Sequence, residues 1–301
     1  MLQCPLSGQP LRLHDRTLVS ADGAHSYRLS PSGVPQFGEG WLSPEGAVQR
    51  AHYERIAGAY LNNLAYPHTR EYIAYMDRAV LSLTAGETMD AVAEICCGAG
   101  EAFRLLNGSV TLGIGVDVSP AMLEAARRDI PGEERLFVNG DAMRLPLKDA
   151  QFDMVVMLGG IHHVNDRDRL LAEVCRILKP RGVFVWREPL DDFFLWRMLR
   201  AVVYKLSPTL ESHTERPLRR RDTQSALERA GFTLEVWRTM GFLGYCFLMN
   251  SDVLAFNRVW KYIPGAAALT SAAAKFDEWT LQLPAFSGSG LAVVGRARRV
   301  D

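Results

Sequence analysis

The sequence has no excess of either charge: 34 Lys and Arg face 34 Asp and Glu, for a formal net charge of zero. A chain that neutralises many phosphates usually carries surplus basic residues, so the balance argues against a nucleic-acid substrate, and no DNA partner is expected. Cysteine is scarce and odd in number. Cys4, Cys96, Cys97, Cys175 and Cys246 are scattered, which excludes a regular disulfide framework and favours a reducing, cytoplasmic setting. Long apolar runs are missing. The stretch 193–206 is broken by Arg197, Arg200 and Lys205, and 241–256 is too short, so neither crosses a bilayer. The opening Met1-Leu2-Gln3-Cys4-Pro5 has no basic stretch followed by an apolar one, so no secretory leader is expected. Internal repeats and low-complexity tracts are absent too.

What is present is enough apolar residue, 48%, to bury a sizeable core. Residues 1–45 are rich in Gly, Pro and Ser, with turn signals at Asp22-Gly23 and Pro31-Ser32-Gly33; they read as a small β-hairpin-like module or arm. From Ala47 the pattern becomes helical through Tyr53, Ile56, Tyr60 and Leu64, and a second helix covers about 68–83. Strands and helices then alternate. Strands are expected at Ala91–Cys97, Thr111–Val118, Arg135–Asn139, Phe152–Leu158 and Val183–Arg187. Helices are expected at Glu101–Leu106, after the N-cap Ser119 and Pro120, and at Asp168–Leu178, where Pro180-Arg181-Gly182 stops the last. Such alternation predicts an α/β fold with a doubly wound, mostly parallel sheet. A helix over Asp191–Leu206, a helix over Thr223–Ala230, and strands at Phe232–Met240 and Leu291–Ala297 complete seven strands. One Rossmann-like domain over 46–301 results, with helical cover insertions at about 190–222 and 241–290.

The chemistry gathers at strand ends. Glu94-Ile95-Cys96-Cys97-Gly98-Ala99-Gly100 ends one strand and opens a helix, and its glycines let backbone approach a ligand. Asp117 closes the next strand, where a ribose-binding carboxylate belongs in open α/β sheets. Asp141, with Ala142 beside it, follows the third strand and is placed to accept from an adenine amino group. Read singly, each has a bland alternative: a tight turn, a helix-dipole acid, a turn aspartate. Three together at consecutive strand ends are a much less probable coincidence.

On these residues the chain resembles the class I S-adenosylmethionine-dependent methyltransferases, over roughly Tyr53 to Gly231 and the last two strands. Glu94–Gly100 is similar to the family's acidic, glycine-rich motif, Asp117 to its ribose acid and Asp141 to its adenine-side acid. Leu158-Gly159-Gly160-Ile161-His162-His163 resembles the loop after the fourth strand, and Arg176–Gly182 the following helix-to-strand corner. The closest resemblance is to small-molecule and lipid methyltransferases. It implies S-adenosyl-L-methionine as cofactor, held by Tyr53, Tyr60, Glu94, Cys96, Gly98, Gly100, Asp117, Val118, Met122, Asp141, Ala142, Leu158 and Gly159. The chain departs from the family at Cys96, where a glycine is usual, and at Glu94, where Asp is commoner. Cys4-Pro5-Leu6-Ser7-Gly8 resembles half of a zinc ribbon with Ser7 in place of the second cysteine, so a degenerate module without metal is expected.

Methyl transfer is in-line displacement at a sulfonium carbon, so the protein's part is position and electrostatics. A general base helps where the acceptor must lose a proton. His162, His163 and Glu188 sit at strand ends suited to that role, with loop shaping as the alternative for the histidines. The Asn/Asp-Pro-Pro-aromatic motif of amino-nitrogen methylases is replaced by Leu158-Gly159-Gly160-Ile161, which favours an oxygen, carbon or sulfur acceptor. The apolar segments around Phe193–Tyr204 and Phe242–Met249 are expected to roof a pocket for a hydrophobic small molecule, such as a polyketide, quinone, isoprenoid or lipid-like metabolite. The alternatives are that they bury one another or form a homodimer interface. Arg216, Arg219, Arg220 and Arg221 form a basic cluster suited to an anionic group or to solvent. An RNA methyltransferase, a non-methylating cofactor-binding protein and a cyclase are the competing readings.

Overall fold

A computed structural model describes residues 1–198, 216–249 and 255–301. Ten strands are seen among them, in two sheets. Strands β1 (Leu11–His14), β2 (Thr17–Ser20) and β3 (Ser26–Arg28) form an antiparallel meander. Helices α1 (Pro44–Leu64) and α2 (Pro67–Thr84) follow. The alternating part runs β4 (Ala91–Ile95), α3 (Glu101–Leu105), β5 (Leu112–Asp117), α4 (Pro120–Asp129), β6 (Arg135–Asn139), β7 (Phe152–Leu158), α5 (Arg167–Ile177) and β8 (Leu178–Pro189). After residues 194–198, which are helical, come α6 (Arg220–Arg229), β9 (Phe232–Met240), α7 (Ala266–Gln282) and β10 (Ala292–Arg299).

The large sheet has the order β6-β5-β4-β7-β8-β10-β9, parallel except for β10, which runs antiparallel to both neighbours. Each central strand is buried on both faces, and the pleat sends alternate side chains to different helix layers. Val155, Met157, Phe184 and Trp186 pack with α5 and α6 residues such as Leu170, Val174 and Leu227. Met154, Val156, Val183 and Val185 pack with α2, α3 and α4 residues such as Val80, Phe103 and Leu123. Fully buried rings such as Trp186, Phe152 and Phe137 each contribute about 1.5–3 kcal/mol by leaving water. Gly295 lies beneath Trp186, where an added Cβ would meet Cζ2 at 2.1 Å.

The seven-stranded, mostly parallel sheet is therefore as the alternation predicts, and the N-terminal residues form the expected β arm. Some boundaries moved. The first core strand stops at Ile95, because Cys96 turns left-handed at φ 54°; the two cysteines are not neighbours on one strand. The helix before β8 ends at Ile177, ahead of Pro180. Leu178 is already extended, and Pro180-Arg181-Gly182 makes a kink inside β8, with Arg181 at φ 61°. The cover positions Leu199, Val202, Val203 and Tyr204 lie outside the described residues. No described helix is long and apolar enough to cross a membrane.

The N-terminal arm is fastened to the sheet. Asn139 N–H donates to the Pro35 carbonyl at 2.9 Å, and Gln36 bridges Asn139 in parallel beside the edge strand β6. The guanidinium groups of Arg144 and Arg169 lie over the Trp41 ring, at 4.9 and 5.4 Å. The zinc-ribbon resemblance finds no metal cluster among the described residues. Cys4 Sγ instead lies 3.1 Å from the Tyr27 hydroxyl and accepts from Ser7 N–H.

Candidate active site

Two adjoining cavities open at the carboxyl ends of the parallel strands. The first, of about 560 Å³, collects Cys96, Gly98, Asp117, Val118, Met122, Asp141, Ala142, Leu158, Gly159, Tyr53 and Tyr60. The second, of about 360 Å³, is lined by His162, Glu188, Trp196, Tyr245 and Met249. They share Tyr53, Tyr60, Leu158, Gly159 and His163 as a common wall. Both volumes suit small organic ligands.

Asp117 ends β5 with its carboxylate held in two directions. Oδ2 accepts from Gly98 N–H and Oδ1 from Ser119 N–H, each at 2.8 Å. One lone-pair direction on each oxygen remains for a hydroxyl donor. Ser119 also caps α4, as its sequence position predicts. Gly98, at φ 49°, keeps the floor low; a Cβ there would meet Met122 Cε at 3.3 Å.

Two predicted cofactor residues lie elsewhere. Glu94 does not line either cavity; it is buried beneath α3, where Oε1 accepts from Ala102 N–H at 2.8 Å. A strand residue whose side chain faces the α3 layer meets the unsatisfied N–H groups of that helix, and this is what it serves. Burial pushes its pKa up to about 8, against the usual 4.5, with Glu101 adding to the rise. The folded chain thus holds a proton that the unfolded chain releases, so Glu94 costs stability as pH climbs between those two values. Glu94→Gln is expected to flatten that decline. Urea midpoints of variant and wild type should diverge from pH 5 to pH 9, to the variant's advantage; parallel curves would refute it. Gly100 also lies outside the cavities. It caps α3 at φ 80°, and a Cβ there would meet Ile130 Cδ1 at 2.5 Å, so it serves the turn and the packing.

Asp141 does reach the first cavity, but its oxygens have another task. Oδ2 accepts from Ser43 N–H at 2.8 Å and Ser43 O–H at 2.7 Å, while Oδ1 accepts from Met143 N–H at 2.8 Å. Ser43 is the N-cap of α1, so Asp141 pins the start of the covering helix to the end of β6. Farther along α1, Glu54 accepts from Ser119 O–H and Ala121 N–H, both at 3.1 Å. Tyr53 and Tyr60 then meet edge to face at 5.7 Å above Met122 and Ala125. Neither Ser43 nor Glu54 stood out in the sequence, because a helix N-cap and an exposed-face acid look the same with or without a partner.

The loop after β7 is organised by one carboxylate. Glu188 is buried; Oε1 accepts from the N–H groups of Gly160 and Ile161 at 2.7 Å each, and Oε2 lies 2.7 Å from His162 Nδ1. This fixes the His162 ring and leaves Nε2 as the nitrogen not held by Glu188. His163 lies behind it, with ring centroids 3.9 Å apart, and its Nε2 is 3.4 Å from the Tyr53 hydroxyl. Burial, with His162 and His52 nearby, holds His163 well below the usual pKa of 6.5, so it is neutral and a poor proton acceptor.

A second buried charge group was missed. Arg187 donates to Asp77 of α2 and, at 2.7 Å, to Glu101 of α3. Burial raises the Asp77 pKa to about 6 although Arg187 opposes the shift. The signal was present: an arginine directly after the buried run Val183–Trp186 demands a partner. Of the arginine cluster, Arg219 pairs with Asp191 at 3.0 Å, and Arg216 N–H donates to the His162 carbonyl at 2.7 Å.

Residues 93–186 match the family described as the methyltransferase domain. Over 142 residues the chain is 34% identical to a demethylmenaquinone methyltransferase of Lactobacillus johnsonii, covering 43% of this chain and 56% of that protein. Over 122 residues it is 34% identical to the 27-O-demethylrifamycin SV methyltransferase of Amycolatopsis mediterranei, covering 38% and 42%. The chain thus spans about half the length of these relatives. An S-adenosylmethionine-dependent methyltransferase of Thermotoga maritima superposes with a TM-score of 0.56 at 24% identity, over 83% of this chain and 98% of that one.

The cofactor this family implies is S-adenosylmethionine, and the first cavity fits it. Asp117 has acceptor capacity left for hydroxyls, Gly98 and Gly159 present bare backbone, and Glu45, Asp117 and Asp141 make the lining acidic, as a cationic sulfur requires. Residues 93–186 match the methyltransferase domain family, and the sheet around them has the fold seen in an S-adenosylmethionine-dependent methyltransferase.

Proposed function

We propose that the chain methylates an oxygen or carbon atom, or alternatively a sulfur, of a hydrophobic small molecule held in the second cavity. The observation that carries this reading is the shared wall: a cofactor-sized cavity and a second one, lined by aromatic and aliphatic side chains together with Glu101, Arg187 and Glu188, meet at Tyr53, Tyr60, Leu158, Gly159 and His163. When bound, S-adenosylmethionine supplies a methyl group on a positively charged sulfur. Asp117, Gly98 and Met122 would hold it, with α1 closing over it through Tyr53 and Tyr60. His162 takes the acceptor's proton at Nε2. Glu188 keeps the proton already on Nδ1 in place and so sets the tautomer. The acceptor atom, once freed of its proton, would be held by the second cavity toward the shared wall, across which the cofactor would supply its methyl group. The names of two relatives, a demethylmenaquinone methyltransferase and a 27-O-demethylrifamycin SV methyltransferase, support this substrate class. The arginine cluster lends an RNA acceptor little support, since Arg219 is engaged by Asp191.

Calorimetry with S-adenosylmethionine tests the reading first. Wild type is expected to bind, and Asp117→Ala to bind roughly 10–150-fold more weakly, as loss of charged hydrogen bonds predicts. Circular dichroism would verify that the variant is folded. A folded wild type that does not bind overturns the proposal.

A further inference from the structure

Helix α7 turns its large apolar side chains to solvent. Its buried side carries Ala266, Thr270, Ala274, Asp277 and Thr280, while its outward side carries Leu269, Phe276 and Trp279, which are 48%, 48% and 56% exposed. A helix on a water-facing surface normally buries its large apolar residues. In the preceding 3-10 turn (Ala255–Tyr262), Val259 and Tyr262 are likewise 56% and 75% exposed. Exposed large apolar side chains gathered in one stretch of chain mark a place where something docks.

We propose that this face docks on an anionic lipid bilayer and so brings the second cavity to a membrane-borne acceptor. Charge selects that occupant. From Val253 to Phe276 the sequence holds Arg258, Lys261 and Lys275 and not one Asp or Glu. The two acids that follow are committed: Asp277 is buried, and Glu278 pairs with Arg238 at 2.7 Å. Basic side chains around exposed Trp, Phe, Tyr and Leu are the composition of segments that lie in the headgroup layer. A second copy of the chain would bring the same surplus of basic side chains to the contact. A bilayer supplies both the countercharge and the apolar depth.

The same stretch of chain reaches the second cavity, which Arg258 lines together with Tyr245 and Met249, whose turn is tied to α7 through Asp277. The acceptor's route from lipid rests on the methyltransferase reading; the docking itself does not.

Sedimentation of the full chain with vesicles tests the inference. Binding to phosphatidylglycerol mixed with phosphatidylcholine is expected to exceed binding to phosphatidylcholine alone. Lys261→Glu with Lys275→Glu should weaken it by about tenfold or more, given roughly 1 kcal/mol for each basic group near the surface. Phe276→Ser with Trp279→Ser should weaken it as well, and these exposed changes leave the core untouched. Failure to bind either vesicle, or equal binding by all variants, overturns the proposal. So does light scattering that shows a dimer dissociated by Phe276→Ser with Trp279→Ser, since the face would then belong to a second copy. Cofactor calorimetry on the same samples separates the ideas: vesicle binding without S-adenosylmethionine binding would sink the enzyme reading alone.

Discussion

Replacing His162 by alanine is expected to lower turnover by roughly 10²–10⁴-fold, the range for losing a positioned general base. S-adenosylmethionine affinity should be unchanged, because His162 lines the second cavity and not the first. Three histidines stand near the junction of the cavities, His52, His162 and His163. Of these, His162 has a carboxylate at 2.7 Å on one ring nitrogen, which orients the ring and fixes its tautomer. His163 is held neutral by burial and faces the Tyr53 hydroxyl. His163→Asn should therefore cost much less than His162→Ala. Glu188→Gln should resemble His162→Ala in turnover. An amide cannot accept from Gly160, Ile161 and His162 together, so the loop and the ring would both lose their support. Steady-state kinetics with a hydroxylated quinone or polyketide acceptor would check this. Full activity in His162→Ala, with loss in His163→Asn, would reverse the assignment.

Asp277→Ala should destabilise the protein by at least about 3 kcal/mol, since each buried donor left without an acceptor costs about 1–3 kcal/mol. The carboxylate is fully buried on α7 and collects four donors: Tyr72 O–H at 2.6 Å and the N–H groups of Phe242, Gly244 and Tyr245 at 2.9, 3.0 and 3.1 Å. Alanine leaves all four without an acceptor, in a place water does not reach. The same bonds hold the turn that brings Tyr245 and Met249 to the second cavity. The variant should therefore also bind acceptor more weakly while keeping its affinity for S-adenosylmethionine. Urea unfolding and separate titrations of the two ligands measure both effects. A midpoint equal to that of wild type would show that the network contributes nothing.

The sheet was legible because its strands announce themselves. Arg135–Asn139, Phe152–Leu158 and Phe232–Met240 are apolar or alternating runs between turn residues, and their predicted limits are the observed ones. Boundaries failed where backbone geometry departed from what residue type favours. Cys96 takes a left-handed conformation that a cysteine rarely adopts, and Leu178 turns extended before the proline expected to end the helix.

The site divides along a similar line. Strand ends are chain-local features, so the sequence by itself determined that Asp117, Asp141, Gly98 and the Gly159–His163 loop would stand at one edge of the sheet. Which partner each side chain takes is a contact between residues far apart in the chain, and only the tertiary structure decided it. Glu94 turned to α3, Asp141 to Ser43 and Glu188 to His162, 98 residues apart for the second pair and 26 for the third. The exposed apolar residues of α7 follow the same reasoning. Periodicity reports that a helix has an apolar side, but which side meets the core is set by packing, and here Asp277 is held inward by Tyr72.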